Sequence, residues 1–321
     1  MSNITRRVFL GRAGSLAAVT AMAAAMPRFA SATPLGLPIG IQLYVVNADL
    51  GKDAEATIKQ LAAIGYKEVE TAGFGSAKTA AALRKIFDDN GIKCPSAHLQ
   101  FDMNNLNKAF DDAHTLGCTY ATSSVPKQIL ASASMPDMSS MSQDERRAAM
   151  AKTMRGMLAP MTPDEFKALA EAMNKVGAAA KASGLRFAAH NHTMEFADDN
   201  GKPGYDYLIS NTDKNTVFFE IDCGWITVAG HKPSEYINRY PGRIRMLHIK
   251  DFLAIEPGAA TGPNAPKGAE IGTGVVNYKE IFASVKGKGI EHIFVEQEGP
   301  YSRMPAMQAA EADYKYLKSL S

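Results

Sequence analysis

Four segments of this chain end an apolar, strand-like run in histidine or carboxylate. They are Phe187-Ala188-Ala189-His190-Asn191-His192, Glu220-Ile221-Asp222, Leu247-His248-Ile249-Lys250-Asp251 and Val295-Glu296-Gln297-Glu298. Imidazole and carboxylate converging at one place suit a divalent cation such as Mn²⁺, Zn²⁺ or Mg²⁺. One such strand end is commonplace, but four in succession describe a metal site. Asp222 closes a nearly continuous apolar strand, where an unpaired carboxylate is costly, so a cation partner is expected. Glu220 alternates with Asp222 and is expected to support it from the same face. Glu296 and Glu298 also share one side of their strand; Glu296 is read as the ligand and Glu298 as a base. Lys250, two residues beyond His248, places an ammonium where it would stabilise an enolate. His114, His231 and His292 lie in helix, loop or pre-strand contexts and read as structural.

The elements that must carry these residues alternate strand and helix. Apolar runs at 39–43, 67–70, 93–98, 119–123, 185–189, 217–221, 244–249 and 290–295 predict eight strands. Helices are predicted over 53–64, 76–89, 106–116 and 162–182. The last opens on Thr162-Pro163-Asp164-Glu165, a capping-box pattern with proline in the first turn. Strands joined by helical crossovers are parallel, and eight units predict one closed (β/α)₈ TIM barrel with its site at the strand C-termini. An open doubly wound sheet would show a Gly-rich phosphate turn, and Gly73-Phe74-Gly75 lacks the spacing. The segment 125–161 breaks the rhythm. Met150, Met154, Met157 and Met161 recur there at helical spacing, as expected of an amphipathic lid over the barrel mouth.

Residues 1–32 read as an export signal: Thr5-Arg6-Arg7-Val8-Phe9-Leu10, an Ala-rich apolar stretch, then Ala30-Ser31-Ala32 as a cleavage site. That predicts a partnership with the twin-arginine export machinery, a periplasmic barrel over 33–321 and no stable membrane anchor. Removing Arg6, Arg7, Arg12 and Arg28, with no acid among them, turns the chain's formal +2 into −2. The barrel therefore offers no electrostatic case for nucleic acid. Cys94, Cys118 and Cys223 lack metal or redox spacing and read as small buried residues rather than a disulfide framework.

The run from Gly184 to His192, continuing to Glu195-Phe196, resembles the xylose-isomerase-like TIM barrels known as sugar phosphate isomerases/epimerases, closest to a branch with His-Asn-His-x-x-Glu-Phe. Asn174-x-x-Gly177, Ile221-Asp222, His248-Ile249-Lys250-Asp251, Gly272-Thr273-Gly274 and Val295-Glu296-Gln297-Glu298 extend the resemblance over the barrel. It implies one divalent metal held by Asp222, His248, Glu296 and a fourth group. The family's usual Glu-Asn-His reads His190-Asn191-His192 here, so the fourth ligand is Glu195, taken as the first choice, or His190. His190, His192, Glu298 and Lys250 are then the expected catalytic groups, and His98, Glu70 and Trp225 the expected substrate contacts. The expected activity is isomerisation or epimerisation of an unphosphorylated keto-sugar or cyclitol through an enediolate. The alternatives are a 3-keto-glycoside lyase or dehydratase and a non-catalytic periplasmic sugar-binding protein.

Overall fold

The computed structural model describes residues 34–131, 159–255, 265–298 and 303–320, with 141–143, 145, 149 and 156. The export signal and Met150, Met154 and Met157 of the expected lid lie outside these residues. Eight parallel strands close into a barrel: β1 (Ile39–Gln42), β2 (Glu68–Thr71), β3 (Lys93–Leu99), β4 (Tyr120–Ser123), β5 (Arg186–His190), β6 (Val217–Asp222), β7 (Ile244–Ile249) and β8 (His292–Val295). Closure is made by β1, whose Ile41 pairs with Val69 of β2 on one side and Val295 of β8 on the other. The expected (β/α)₈ barrel is the observed fold. Among the described residues no helix is long and apolar enough to cross a membrane.

Alternation along each strand separates a shell from a lumen. Odd-numbered Ile41, Val69, Ala97, Ala121, Phe187, Phe219, Leu247 and Val295 join the large core between sheet and helices. Even-numbered residues face inward and stack in tiers. Tyr120, Ala188, Phe218, Met246 and Phe294 form an apolar floor. Directly above it the same strands carry His190, Glu220, His248 and Glu296, all buried. Asp222 and Lys250 follow one pleat later. Gly40 is the inward residue of β1, and a Cβ there would lie 2.6 Å from the Phe294 ring, so the absent side chain makes room for the floor.

The principal helices are α1 (Ala54–Ile64), α2 (Ala80–Asp89), α3 (Asn107–Leu116), α4 (Pro163–Ala182), α5 (Gly204–Asn211), α6 (Pro233–Arg239), α7 (Tyr278–Val285) and α8 (Ala306–Ser319). The capping box of α4 forms in both directions: Glu165 N donates to Thr162 Oγ1, and Thr162 N donates to Glu165 Oε2. Asn174 and Gly177 of α4 explain each other. Asn174 takes the Asp213 backbone N–H at 2.7 Å and donates to the Asn211 carbonyl, drawing the α5–β6 loop onto the helix. Gly177 is the point of closest approach, since a Cβ would stand 2.7 Å from the Thr216 carbonyl.

Candidate metal centre and active site

The sharp ends of β5, β6, β7 and β8 deliver their polar residues to one mouth. The ends are held by local hydrogen bonds. Asn191 Oδ1 accepts from the Asp222 backbone N–H at 3.0 Å, tying β5 to β6. Asp222 Oδ1 then caps the short helix Cys223–Val228 by accepting from Trp225 N at 2.8 Å. Its second oxygen is thereby turned into the site. Asp251 performs the corresponding service beyond β7, with its two oxygens accepting backbone N–H groups from Phe252, Gly272, Gly274 and Val276. This explains Gly272-Thr273-Gly274: Gly272 sits at φ 82°, and a Cβ on Gly274 would lie 2.2 Å from the Phe252 carbonyl. Neither Asn191 nor Asp251 was singled out from the sequence, because their work is done on backbone groups that only the fold brings near.

Four candidate ligands converge. His190, Asp222, His248 and Glu296 each offer an atom within 4.8 Å of the others, and all four are buried. His248 Nδ1 lies 2.8 Å from Glu296 Oε2, and His190 Nε2 lies 4.0 Å from Asp222 Oδ2. Glu195, the first choice from the sequence for the fourth ligand, is not brought into this group. Its Oε2 instead accepts the His192 backbone N–H at 2.8 Å across the turn it closes. It sits buried in the short 3-10 helix Met194–Phe196, and burial pushes its carboxyl up to about 7. Of the two residues considered for the fourth place, His190 is the one that the fold puts there.

The donor set fits a divalent cation. Two imidazoles and two carboxylates satisfy a mixed nitrogen and oxygen site. Asp222 Oδ2 is buried without a hydrogen-bond partner, although Lys250 Nζ stands 3.1 Å away. Burial, opposed by Lys250 and reinforced by Glu296, pushes the Asp222 carboxyl up to about 7.

Lys250 lies at the rim of this set. Its ammonium is 2.9 Å from Glu296 Oε2 and 2.7 Å from Glu298 Oε1, and it sits 4.9 Å from the centre of the Trp225 ring. Burial works against its charge, but Asp222, Glu296 and Glu298 together raise it well above the usual lysine range. It is an ammonium at neutral pH. Glu298 is the partly open member at the mouth. His192 is neutral at pH 7: burial, followed by the Lys250 charge, lowers it to about 4. Its Nδ1 has no hydrogen-bond partner, nor does the Trp225 indole Nε1. The two rings are 6.0 Å apart. Both of these unpartnered atoms are buried.

His98 and Glu70, expected to touch substrate, join the polar cluster around the ligand rings. His98 Nε2 is 2.9 Å from both Glu70 Oε1 and Glu220 Oε2. Burial alone would lower the His98 ring, but Glu70 and Glu220 raise it to about 9. Glu220 is held down to about 2 despite its burial, by the His248 and His98 rings. Cys94, Cys118 and Cys223 are free and buried, as expected of small core residues.

With this geometry in view, the comparisons place the chain. It belongs to the xylose isomerase-like TIM barrel family, whose model matches residues 58–320. An inosose dehydratase from Clostridium perfringens is 27% identical over 175 residues, covering 49% of this chain and 56% of the relative. The chain thus spans little more than half the length of the curated relatives it matches. Among solved structures, a sugar phosphate isomerase/epimerase from Parabacteroides distasonis superposes with a TM-score of 0.65 at 22% identity, covering 88% of this chain and 96% of that one. An L-ribulose 3-epimerase gives a TM-score of 0.59 at 15% identity, covering 88% and 93%. At these identities the structural likeness is one of fold.

Proposed function

We propose that this chain is a divalent-metal-dependent enzyme that removes a proton next to the carbonyl of an unphosphorylated keto-sugar or cyclitol. The observation that carries the reading is the convergence of His190, Asp222, His248 and Glu296 with Lys250 and Glu298 at one barrel mouth. A divalent ion held by those four residues would supply Lewis-acid polarisation of neighbouring hydroxyl and carbonyl oxygens. The chain's own groups do the rest. Glu298 and neutral His192 are the candidates to take and return the proton, from different sides of the space above the ligands. Lys250 holds a positive charge where the enediolate oxygen develops negative charge. Trp225 offers a ring face and an indole N–H to a sugar. Return of the proton to the adjacent carbon isomerises the substrate, and return to the opposite face epimerises it.

A second outcome is favoured by the curated relatives, which are named inosose dehydratases. Loss of a β-hydroxyl or a β-glycosidic oxygen from the same enediolate would make the enzyme a dehydratase or lyase. Export by the twin-arginine route to the periplasm is proposed from the arginine pair and the apolar stretch of residues 1–32.

The deciding experiment is elemental analysis of the purified protein beside Asp222→Ala and His248→Ala. About one equivalent of Mn²⁺, Zn²⁺ or Mg²⁺ per chain, lost in both variants, is expected. A protein that folds and refuses all three ions would sink the reading. Assays with 3-keto-glycosides, ketohexoses and inososes then separate isomerase from lyase, and turnover of any of them excludes a pure binding protein. A preference for phosphorylated ketoses would overturn the assignment of an unphosphorylated substrate.

A further inference from the structure

Two buried carboxylates stand against ring nitrogens of the candidate ligands that face away from Asp222 and Glu296. Glu70, on β2, and Glu220, on β6, are both fully buried. Glu70 meets the far nitrogen of His248, and Glu220 meets the far nitrogen of His190 and, at 3.1 Å, His248 Nε2 as well. His248 presents Nδ1 to Glu296 at 2.8 Å and Nε2 to Glu70 Oε1 at 2.8 Å. His190 presents Nε2 toward Asp222 at 4.0 Å and Nδ1 to Glu220 Oε2 at 3.2 Å. The two rings are therefore used in opposite senses, one offering Nδ1 upward and the other Nε2.

We propose that Glu70 and Glu220 are positioning residues that fix which nitrogen His248 and His190 offer to the metal, an inference that rests on the metal-dependent reading above. A neutral imidazole has one N–H and one lone pair. A carboxylate claiming the N–H on one nitrogen leaves the lone pair on the other, with the ring orientation set as well. The arrangement works only if the carboxylates cannot turn away, and they are pinned. Glu70 Oε1 accepts from Gln42 Nε2 at 2.8 Å, and its Oε2 accepts from Ser96 Oγ, which is itself linked to Thr122 Oγ1 at 2.8 Å. His98 Nε2 bridges the pair, 2.9 Å from each. These contacts make a polar frame spanning β1, β2, β3, β4 and β6.

The competing arrangement uses the same atoms differently. His98, His190, Glu220 and His248 also offer atoms within 4.8 Å of one another, and the nitrogens that face Glu220 are His98 Nε2, His190 Nδ1 and His248 Nε2. Occupying that inner set requires those nitrogens to be free of protons, so the two arrangements demand opposite tautomers.

The test is calorimetric titration of the full chain with Mn²⁺, in the wild type and in Glu70→Gln and Glu220→Gln, which keep volume and remove charge. We expect one equivalent in each, bound about 10–100-fold more weakly in both variants. In parallel, ¹⁵N-histidine spectra of the Zn²⁺-loaded wild type should show the N–H of His248 on Nε2 and that of His190 on Nδ1. The spectra need no variant, so a misfolded variant does not leave the question open. Unchanged affinity in either variant removes that residue's role, and N–H groups on the opposite nitrogens overturn the whole inference. So do two equivalents in the wild type that fall to one in Glu220→Gln, since Glu220 is then a ligand. Absence of metal from the wild type defeats the metal-dependent reading itself, whereas one tightly bound equivalent with indifferent variants defeats only this inference.

Discussion

At the scale of single residues, charge state separates groups that the sequence leaves alike. Glu195, Glu220 and Glu298 are all glutamates near one mouth. Glu220 stays ionised because His248 and His98 stand against it, whereas Glu195 has backbone N–H groups and the Lys127 charge against its burial, and these do not offset it. The consequence for stability has a definite sign. The unfolded carboxyl releases its proton near 4.5 and the folded one near 7, so the wild type loses stability as pH rises between those values. Glu195→Gln keeps an acceptor for the His192 N–H without that penalty. Its unfolding free energy is expected to overtake the wild type's across that window, by about 3 kcal/mol at pH 8, read as a higher melting temperature. The same variant should retain its metal; loss of metal would return Glu195 to the ligand set. Glu298→Gln makes the opposite separation. It should keep metal and fold while kcat falls by about 10²–10⁴, the usual contribution of a positioned acid or base. A variant with wild-type turnover would remove Glu298 from the chemistry.

At the scale of elements, two contacts of α4 set how β5 and β6 meet the mouth. Thr162 and Glu165 satisfy each other's backbone at its start. Thr162→Ala should cost about 1 kcal/mol, measured as a shift in the urea midpoint with an unchanged slope. Gly177 is where the helix touches the strand entry at Thr216. In Gly177→Ala the better helix former should nevertheless destabilise by about 1–3 kcal/mol, because backbone stands where the methyl would go. A stabilised Gly177→Ala protein would show that α4 can slide outward at no cost.

At the scale of the whole molecule, metal binding and stability are linked through the barrel's closure. The four candidate ligands come from four consecutive strands of the ring, β5 to β8. An ion held there binds the folded chain and not the unfolded one. At 100 times its Kd it should add about 2.7 kcal/mol, and chelation should lower the melting temperature correspondingly. Identical melting curves with Mn²⁺ and with chelator would show that no ion binds the native barrel.

The sequence by itself determined the architecture and most of the site's membership. Periodicity marked the eight strands, and the endings His190, Asp222, His248 and Glu296 stood out because polar residues at the end of apolar runs are conspicuous without any partner in view. Strand parity alone placed Glu296 beside Glu298 and Glu220 beside Asp222. What only the tertiary structure decided was depth and direction. Whether Glu195 or His190 faces the ligand set depends on how the turn after β5 bends. That bend is fixed by Glu195 taking the His192 backbone N–H. Likewise Glu70 and His98 end their strands as the ligands do, yet only closure shows that Glu70 bonds to the His248 ring and His98 to Glu70 and Glu220. Height in the lumen is set by the stagger between neighbouring strands, which no single strand carries in its own sequence. Type and spacing are local, and so they can be read along the chain. Tier and ring orientation are properties of closure, and they exist only once β1 has met β8.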